Sequence, residues 1–188
     1  MSEQSKSELR ASYRKARADF AESLSDRERQ IAFSAAPAVL SKHLVSGRTV
    51  SGYIPVGTEA DPRALLSIAY AAGCRTALPF VTSRASPMQF LRWSPGDPLH
   101  EGAFGLMQPR SDAQSCEPDV ILTPLVAFDC NLMRLGQGAG HYDRALSLLD
   151  SAFVIGIAWS VQEAPLLPAD PWDIPLNAVL TEKAWIAR

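Results

Sequence analysis

Apolar residues first recur at helical spacing. Leu9, Tyr13, Ala16 and Phe20 stand three or four positions apart and form one stripe, so the first forty residues read as helix. A second helix begins at Ser25. Ser25 and Glu28 fit a capping box, in which each side chain satisfies an orphan backbone donor. Pro37 kinks or restarts that helix, because proline lacks the N–H and crowds the preceding turn.

From about residue 48 the pattern changes to short apolar runs alternating with helical segments. Strands are expected over residues 49–54, 76–80, 88–93, 153–159 and 178–181, and helices over 62–72 and 141–149. Residues 120–128 form an apolar run interrupted by Pro124. Near-continuous apolar strands separated by helices describe a mostly parallel sheet covered on both faces. The expected fold is one α/β domain spanning residues 1–188, a three-layer sandwich. Ligands of such sheets sit beyond the carboxyl ends of the strands, so the loop after the 120–128 run is the first place to look.

Composition narrows the function classes. The chain has 188 residues, 47% of them hydrophobic, enough for a core without disulfides or a structural metal. A net charge of −2 gives no basic excess for a nucleic-acid partner. Cys74, Cys116 and Cys130 are widely spaced with no C-x-x-C pair, which points away from zinc and towards a reducing compartment. The N-terminus, Ser2-Glu3-Gln4-Ser5-Lys6, has no apolar core of a leader, and no stretch reaches the length of a membrane span. A soluble, cytoplasmic protein is expected, with a monomer favoured.

The segment Arg134-Leu135-Gly136-Gln137-Gly138-Ala139-Gly140-His141-Tyr142-Asp143-Arg144 carries the strongest chemical signal. Three alternate glycines let the backbone approach a ligand, and a helix start offers unpaired amides to an anion. The spacing matches neither a Walker loop nor the dinucleotide fingerprint; a flexible loop with a helix cap is the plainer alternative. Lys6, Arg10 and Arg14 fall at i, i+4 and i+8 on one helix face, where like charges repel unless a polyanion, or water alone, relieves them. Asp143 in the first helical turn and Asp173 in Pro171-Trp172-Asp173-Ile174-Pro175 are candidate magnesium ligands, or a helix-start charge and a turn residue. Asp61 before Pro62 reads as a helix start, whereas Glu59 has no structural role of that kind and is placed to accept hydrogen bonds from an amino-bearing heterocycle. No nucleophile elbow or zinc-protease motif is present.

Taken together, these segments resemble the 5-formyltetrahydrofolate cyclo-ligase, or methenyltetrahydrofolate synthetase, family. The resemblance rests on Lys6-x-x-Leu9-Arg10, on Tyr53-x-Pro55 with Glu59-x-Asp61, and on Trp93-Ser94-Pro95-Gly96-Asp97 with Gly102-Ala103-Phe104-Gly105. It rests most on Thr123-Pro124-Leu125-Val126-Ala127-Phe128-Asp129 running into the glycine loop, then on Gly156-Ile157-Ala158-Trp159, Gln162, Asp173 and Thr181-Glu182. It implies the family's three-layer α/β fold. It also implies that Lys6, Arg10 and the run from Arg134 to Tyr142 (Leu135, Gly136, Gln137, Gly138, Ala139 and Gly140 included) bind ATP. Asp143 and Asp173 would hold Mg2+. Ile54, Glu59 and His141 would contact the folate, with Phe104 as a further wall.

The implied reaction needs no enzyme nucleophile. The formyl oxygen of 5-formyltetrahydrofolate attacks the γ-phosphate of ATP, N10 attacks the activated formyl carbon, and phosphate leaves as the ring closes. Lys6, Arg10 and Arg134 are suited to neutralising phosphate charge. The chain departs from the family pattern with His141 in place of the usual Tyr, Ala139 in place of Gly or Lys, and Asn131-Leu132-Met133 in place of a glycine-containing turn. Two other readings remain: a same-fold enzyme with a different substrate, and a non-catalytic nucleotide or folate binder, which has less need of both Asp143 and Asp173.

Overall fold

The structure is a computed structural model that describes residues 5–187; Ser2, Glu3 and Gln4 of the polar N-terminus lie outside them. Helix α1 (Lys6–Ser23) is opened by Ser5, whose hydroxyl accepts from the Glu8 amide while the Glu8 carboxylate accepts from the Ser5 amide. Its inner face buries Leu9, Arg17 and Ala21. The apolar stripe therefore has the expected direction, but one of its buried positions is an arginine. Helix α2 (Asp26–Ile31) carries the expected Ser25–Glu28 box, and α3 (Ala38–Ser41) starts immediately after Pro37.

The remaining elements are β1 (Thr49–Ser51), α4 (Arg63–Ala71), β2 (Arg75–Phe80), β3 (Gln89–Arg92), β4 (His100–Glu101), β5 (Met107–Gln108) and β6 (Val120–Pro124). They continue with β7 (Ala127–Asp129), β8 (Arg134–Leu135), α5 (His141–Leu146), β9 (Phe153–Ile157), β10 (Glu163–Ala164), β11 (Ala178–Leu180) and β12 (Trp185–Ala187). The main sheet has the order β12-β11-β9-β6-β1-β2-β3. Its five central strands run parallel, and the edge strands β12 and β3 run antiparallel to their neighbours.

Strand side chains alternate between two cores, which makes the sheet the middle of three layers. Val120 and Leu122 of β6 pack with Leu40 of α3 and Leu65, Leu66 and Ala69 of α4. Ile121, between them in sequence, packs on the opposite face with Phe128, Leu132 and the α5 residues Ala145 and Leu146. Truncating a fully buried leucine such as Leu65 costs about 2–5 kcal/mol.

The 120–128 run is not one strand. Proline cannot donate to a ladder, so the chain leaves the main sheet after Pro124, and β7 joins a second sheet of order β10-β7-β8. Buried Gln162 fixes the break by donating from Nε2 to the Leu125 and Val126 carbonyls, at 2.9 and 3.0 Å. The N-terminal half of α1 covers this small sheet, with Leu9 packed on Ala127, Leu135, Ala164 and Leu167. Helix α5 ends at Leu146 rather than 149. No helix among the described residues is long and apolar enough to cross a membrane.

Candidate active site

Strand β1 leads to β2 on one side of the sheet, and β6 leads to β9 on the other. The connections part between β1 and β6, which is where an open α/β sheet forms a ligand crevice. A cavity of about 630 Å³ opens there. Tyr53, Ile54 and Glu59 enter it from the loop after β1, Pro124 from the end of β6, and Arg134 and Tyr142 from the two ends of the glycine loop.

That loop, residues 136–140, joins β8 to α5. Gly138 and Gly140 have φ of +102° and +67°, conformations that a side chain resists. Arginine side chains take up three of the loop's carbonyl oxygens. Arg10 Nε donates to Gly136 O at 2.8 Å, Arg14 Nη2 to Gln137 O at 3.1 Å, and Arg144 Nη1 to Ala139 O at 3.1 Å. No protein acceptor pairs with the backbone N–H groups of residues 136–140 among the described residues. Gly136, Gln137, Ala139 and Gly140 line the cavity, whereas Gly138 lies against the Arg10 guanidinium. Leu135 differs from its neighbours: its side chain belongs to the core, and its carbonyl accepts from Val126 N at 2.8 Å.

Lys6, Arg10 and Arg14 do share one face of α1, but each has partners within the protein: carboxylates for Lys6, oxygens of the glycine loop for Arg10 and Arg14. Lys6 Nζ lies 2.6 Å from Asp170 Oδ2 and 2.5 Å from Asp173 Oδ2. Desolvation works against the Lys6 ammonium, but the hydrogen bonds from Asp170 and Asp173 prevail and hold its pKa above the ordinary value. Partial burial pushes the Asp173 carboxyl up. The Asp170 amide, Lys6 and the charge of Arg134 outweigh it and hold Asp173 below its ordinary value.

Arg134 connects the two candidate metal ligands. Its Nη2 forms a short ion pair with Asp143 Oδ1, and its charge also reaches Asp173. The guanidinium is almost fully enclosed and sits 5.6 Å from the centre of the Tyr142 ring. Two carboxylates are a hard-oxygen donor pair of the kind magnesium uses when phosphates and water complete its shell. The described residues hold no group of three His, Cys, Asp or Glu side chains able to form an all-protein cage. In chemistry, though not yet in any shared contact, Asp143 and Asp173 suit such an ion, with Arg134 and Lys6 now facing them.

The apolar wall opposite comes from Pro79, Val81 and Met88. Phe104 stands at the turn between β4 and β5 with φ of +62°, 63% exposed at the cavity rim, its ring centre 6.3 Å from that of His141. Buried Gln108 anchors this hairpin, accepting from Val81 N at 2.6 Å. His141 Nδ1 lies 3.2 Å from Arg144 Nη2. Arginine can only donate, so Nδ1 accepts, and the neutral ring presents Nε2–H to the cavity. Burial, reinforced by the charges of Arg144 and Arg84, holds the imidazole pKa below its ordinary value and favours this neutral form. Burial pushes the Tyr142 phenol well up, so it too stays protonated.

Glu59 is held from three sides. Its Oε2 accepts from Val56 N at 3.0 Å, its Oε1 accepts from Gln137 Nε2 at 2.9 Å, and Arg17 Nη1 lies 3.5 Å from Oε1. The structure therefore brings Ile54, Glu59, Phe104 and His141 to one cavity with Arg134, Tyr142 and Asp143. Lys6, Arg10 and Asp173 stand behind the glycine loop instead of on the cavity wall. Sequence reading missed Arg17 and Asp170. Arg17 had a usable signal, since Leu9, Tyr13, Arg17 and Ala21 form a strict i, i+4 series with one charge in it.

Comparison with known proteins gives a consistent result. Residues 2–182 match the model of the 5-formyltetrahydrofolate cyclo-ligase family. The 5-formyltetrahydrofolate cyclo-ligase of Mycolicibacterium smegmatis is 36% identical, over 99% of this chain and 98% of its own. That of Escherichia coli K12 is 35% identical, over 76% of this chain and 82% of its own. Among solved structures, the 5,10-methenyltetrahydrofolate synthetase of Aquifex aeolicus superposes with a TM-score of 0.77 at 30% identity, covering 97% of this chain and 92% of its own. The Mycoplasma pneumoniae synthetase gives 0.69 at 26% identity, over 95% and 99%. Since the family match spans almost the whole chain and the relatives agree with it over nearly their full length, the chain belongs to the 5-formyltetrahydrofolate cyclo-ligase family of enzymes.

Proposed function

We propose that this cavity converts 5-formyltetrahydrofolate to 5,10-methenyltetrahydrofolate, consuming ATP and releasing ADP and phosphate. One observation carries the placement. Arg17 Nη1, Arg134 Nε, His141 Nε2 and Tyr142 Oη are buried polar atoms that make no hydrogen bond, and all four belong to residues lining the cavity. Leaving such atoms unpaired costs about 1–3 kcal/mol each, so the wall is built for a polar ligand.

The glycine-loop amides and Arg134 receive the γ-phosphate, while Lys6 and Arg10 hold the loop and the Asp170–Asp173 turn in place behind it. The folate ring lies against Ile54, His141 and Phe104, with its amino edge at Glu59. The formyl oxygen then displaces ADP from the γ-phosphorus. N10 attacks the formyl carbon and gives up its proton, and the formyl oxygen departs with the phosphate. No side chain forms a covalent bond. Positioning and charge neutralisation supply the rate. A magnesium ion held by Asp143 and Asp173 would neutralise charge on the phosphates.

The three free thiols suit a reducing compartment such as the cytoplasm. A monomer is the proposed state. The test is an ultraviolet assay with 5-formyltetrahydrofolate, magnesium and ATP. The methenyl absorbance should grow only when all three are present. A flat trace with intact ATP binding would overturn the substrate and favour a same-fold enzyme of different specificity.

A further inference from the structure

Arg17 is an unusual residue to find on the inner face of a helix. It is 8% exposed, and its Nε reaches Thr58 Oγ1 at 3.3 Å. Its Nη1 lies 3.5 Å from Glu59 Oε1, close enough for an ion pair, yet makes no hydrogen bond and is shielded from bulk solvent. A buried guanidinium that served only to hold Glu59 would be expected to close that gap. Both residues line the cavity.

Glu59 also has capacity to spare. A carboxylate offers about four lone-pair sites, and two are taken, by Val56 N and Gln137 Nε2. The pair thus presents acceptors on the carboxylate and, beside Oε1, one free donor on Arg17. A pterin ring carries the complementary sequence along one edge: the 2-amino N–H, the N3–H, then the 4-oxo oxygen. We propose that Arg17 and Glu59 together read this edge, with Glu59 accepting from the 2-amino group and N3–H and Arg17 Nη1 donating to the 4-oxo oxygen. Arg17 is then a specificity-determining residue that demands a 2-amino-4-oxo ring, an inference that rests on the folate reading above. Lysine would not replace it fully, because one guanidinium must serve both Thr58 and the ligand through its rigid fork.

The test compares binding of 5-formyltetrahydrofolate and its 4-amino-4-deoxy counterpart by calorimetry, without ATP. The 4-amino group turns the acceptor into a donor facing Arg17. The wild-type protein should prefer the oxo ligand by roughly ten- to a hundredfold, the range of one charge-assisted hydrogen bond. Arg17→Met should lose about that factor for the oxo ligand and much less for the amino ligand, narrowing the ratio by that factor; the part of the preference that Glu59 draws from N3–H, which the amino ring lacks, stays. ATP affinity should stay within about threefold in the same variant. Equal losses for both ligands would make Arg17 merely a support for Glu59 and overturn the proposal, as would a wild-type protein with no preference.

If Arg17→Met does not fold, the wild-type comparison and Arg17→Lys still decide. The lysine variant should retain only part of the preference, and an undiminished ratio would overturn the role of the fork. Wild-type turnover of 5-formyltetrahydrofolate separates the two levels. Turnover without ring discrimination refutes Arg17 alone, whereas no turnover refutes the folate reading beneath it.

Discussion

Replacing Arg134 with alanine probes the site at its most connected point. The guanidinium is 3% exposed and its partner Asp143 is 24% exposed. Breaking a fully buried pair costs about 3–5 kcal/mol. Asp143 can recover part of its hydration, so the pair itself should account for about 2 kcal/mol. The contact with the Tyr142 ring adds about 1 kcal/mol. In a chain of this size, the sum of about 3 kcal/mol lowers Tm by roughly 6–12 °C. Loss of the donor that we propose for the developing phosphate charge should cost a further factor of about 10²–10³ in kcat/KM.

The loss should fall on ATP, because Arg134 meets the glycine loop, whereas Glu59 and Ile54, the proposed folate contacts, enter from the loop after β1. Steady-state assays varying each substrate in turn, at 25 °C, would show a much larger rise in KM for ATP than for folate. Arg134→Lys keeps the charge and loses the fork, so it should fall between wild type and alanine. A drop in Tm with both KM values unchanged, or raised equally, would show that Arg134 only braces the fold.

Asp143→Asn should shift the magnesium dependence of turnover to higher concentration, checked by metal titration at saturating ATP; an unchanged curve would remove it from the metal site. Gly138→Ala should cost about 1–3 kcal/mol and raise KM for ATP, because φ of +102° is strained for any side chain. Gly136→Ala should raise the ATP KM for a different reason: its Cβ would stand 2.9 Å from Arg134 Nη1, which the ion pair to Asp143 pins. Stability should fall as pH drops below about 6.5. Burial and nearby cations hold His141 and His43 below that ordinary value, so the unfolded chain binds more protons in the window beneath it. Thermal melts between pH 5 and 7.5 would check this, and a Tm that falls with rising pH would refute it. Asp173 adds a loss of the same sign only as pH falls below its ordinary 3.8, and Lys6 a loss only above 10.5.

The parallel core was legible because strands buried on both faces are apolar throughout, as in Val120, Ile121 and Leu122. The helix starts at Ser25 and after Pro37 were legible because caps and prolines act locally. Strand β12 escaped because it is a three-residue edge strand with no fully buried position to set a pattern. The break at Pro124 was visible, but its consequence depends on Gln162, 36 and 37 positions away from the carbonyls it holds.

The turn before Arg134 shows a similar limit. Asn131-Leu132-Met133 has no glycine, yet Leu132 adopts φ of +60°. Its side chain is buried, and Asp129 Oδ1 accepts from the amides of Asn131 and Met133, so tertiary contacts offset the strain. At the site, the glycine loop and Glu59 stood out by local chemistry. Arg17 left a signal only of burial, as the one charge in an apolar i, i+4 series; its partner Glu59, 42 positions on, comes to face it only in the fold.

The most direct test follows one atom. Substrate labelled with ¹⁸O in the formyl group, turned over with magnesium and ATP, should give the methenyl product and inorganic phosphate that carries the label, in equal amounts. Methenyl product with unlabelled phosphate, or ATP hydrolysis without methenyl product, would contradict transfer of the formyl oxygen to the γ-phosphate in this cavity.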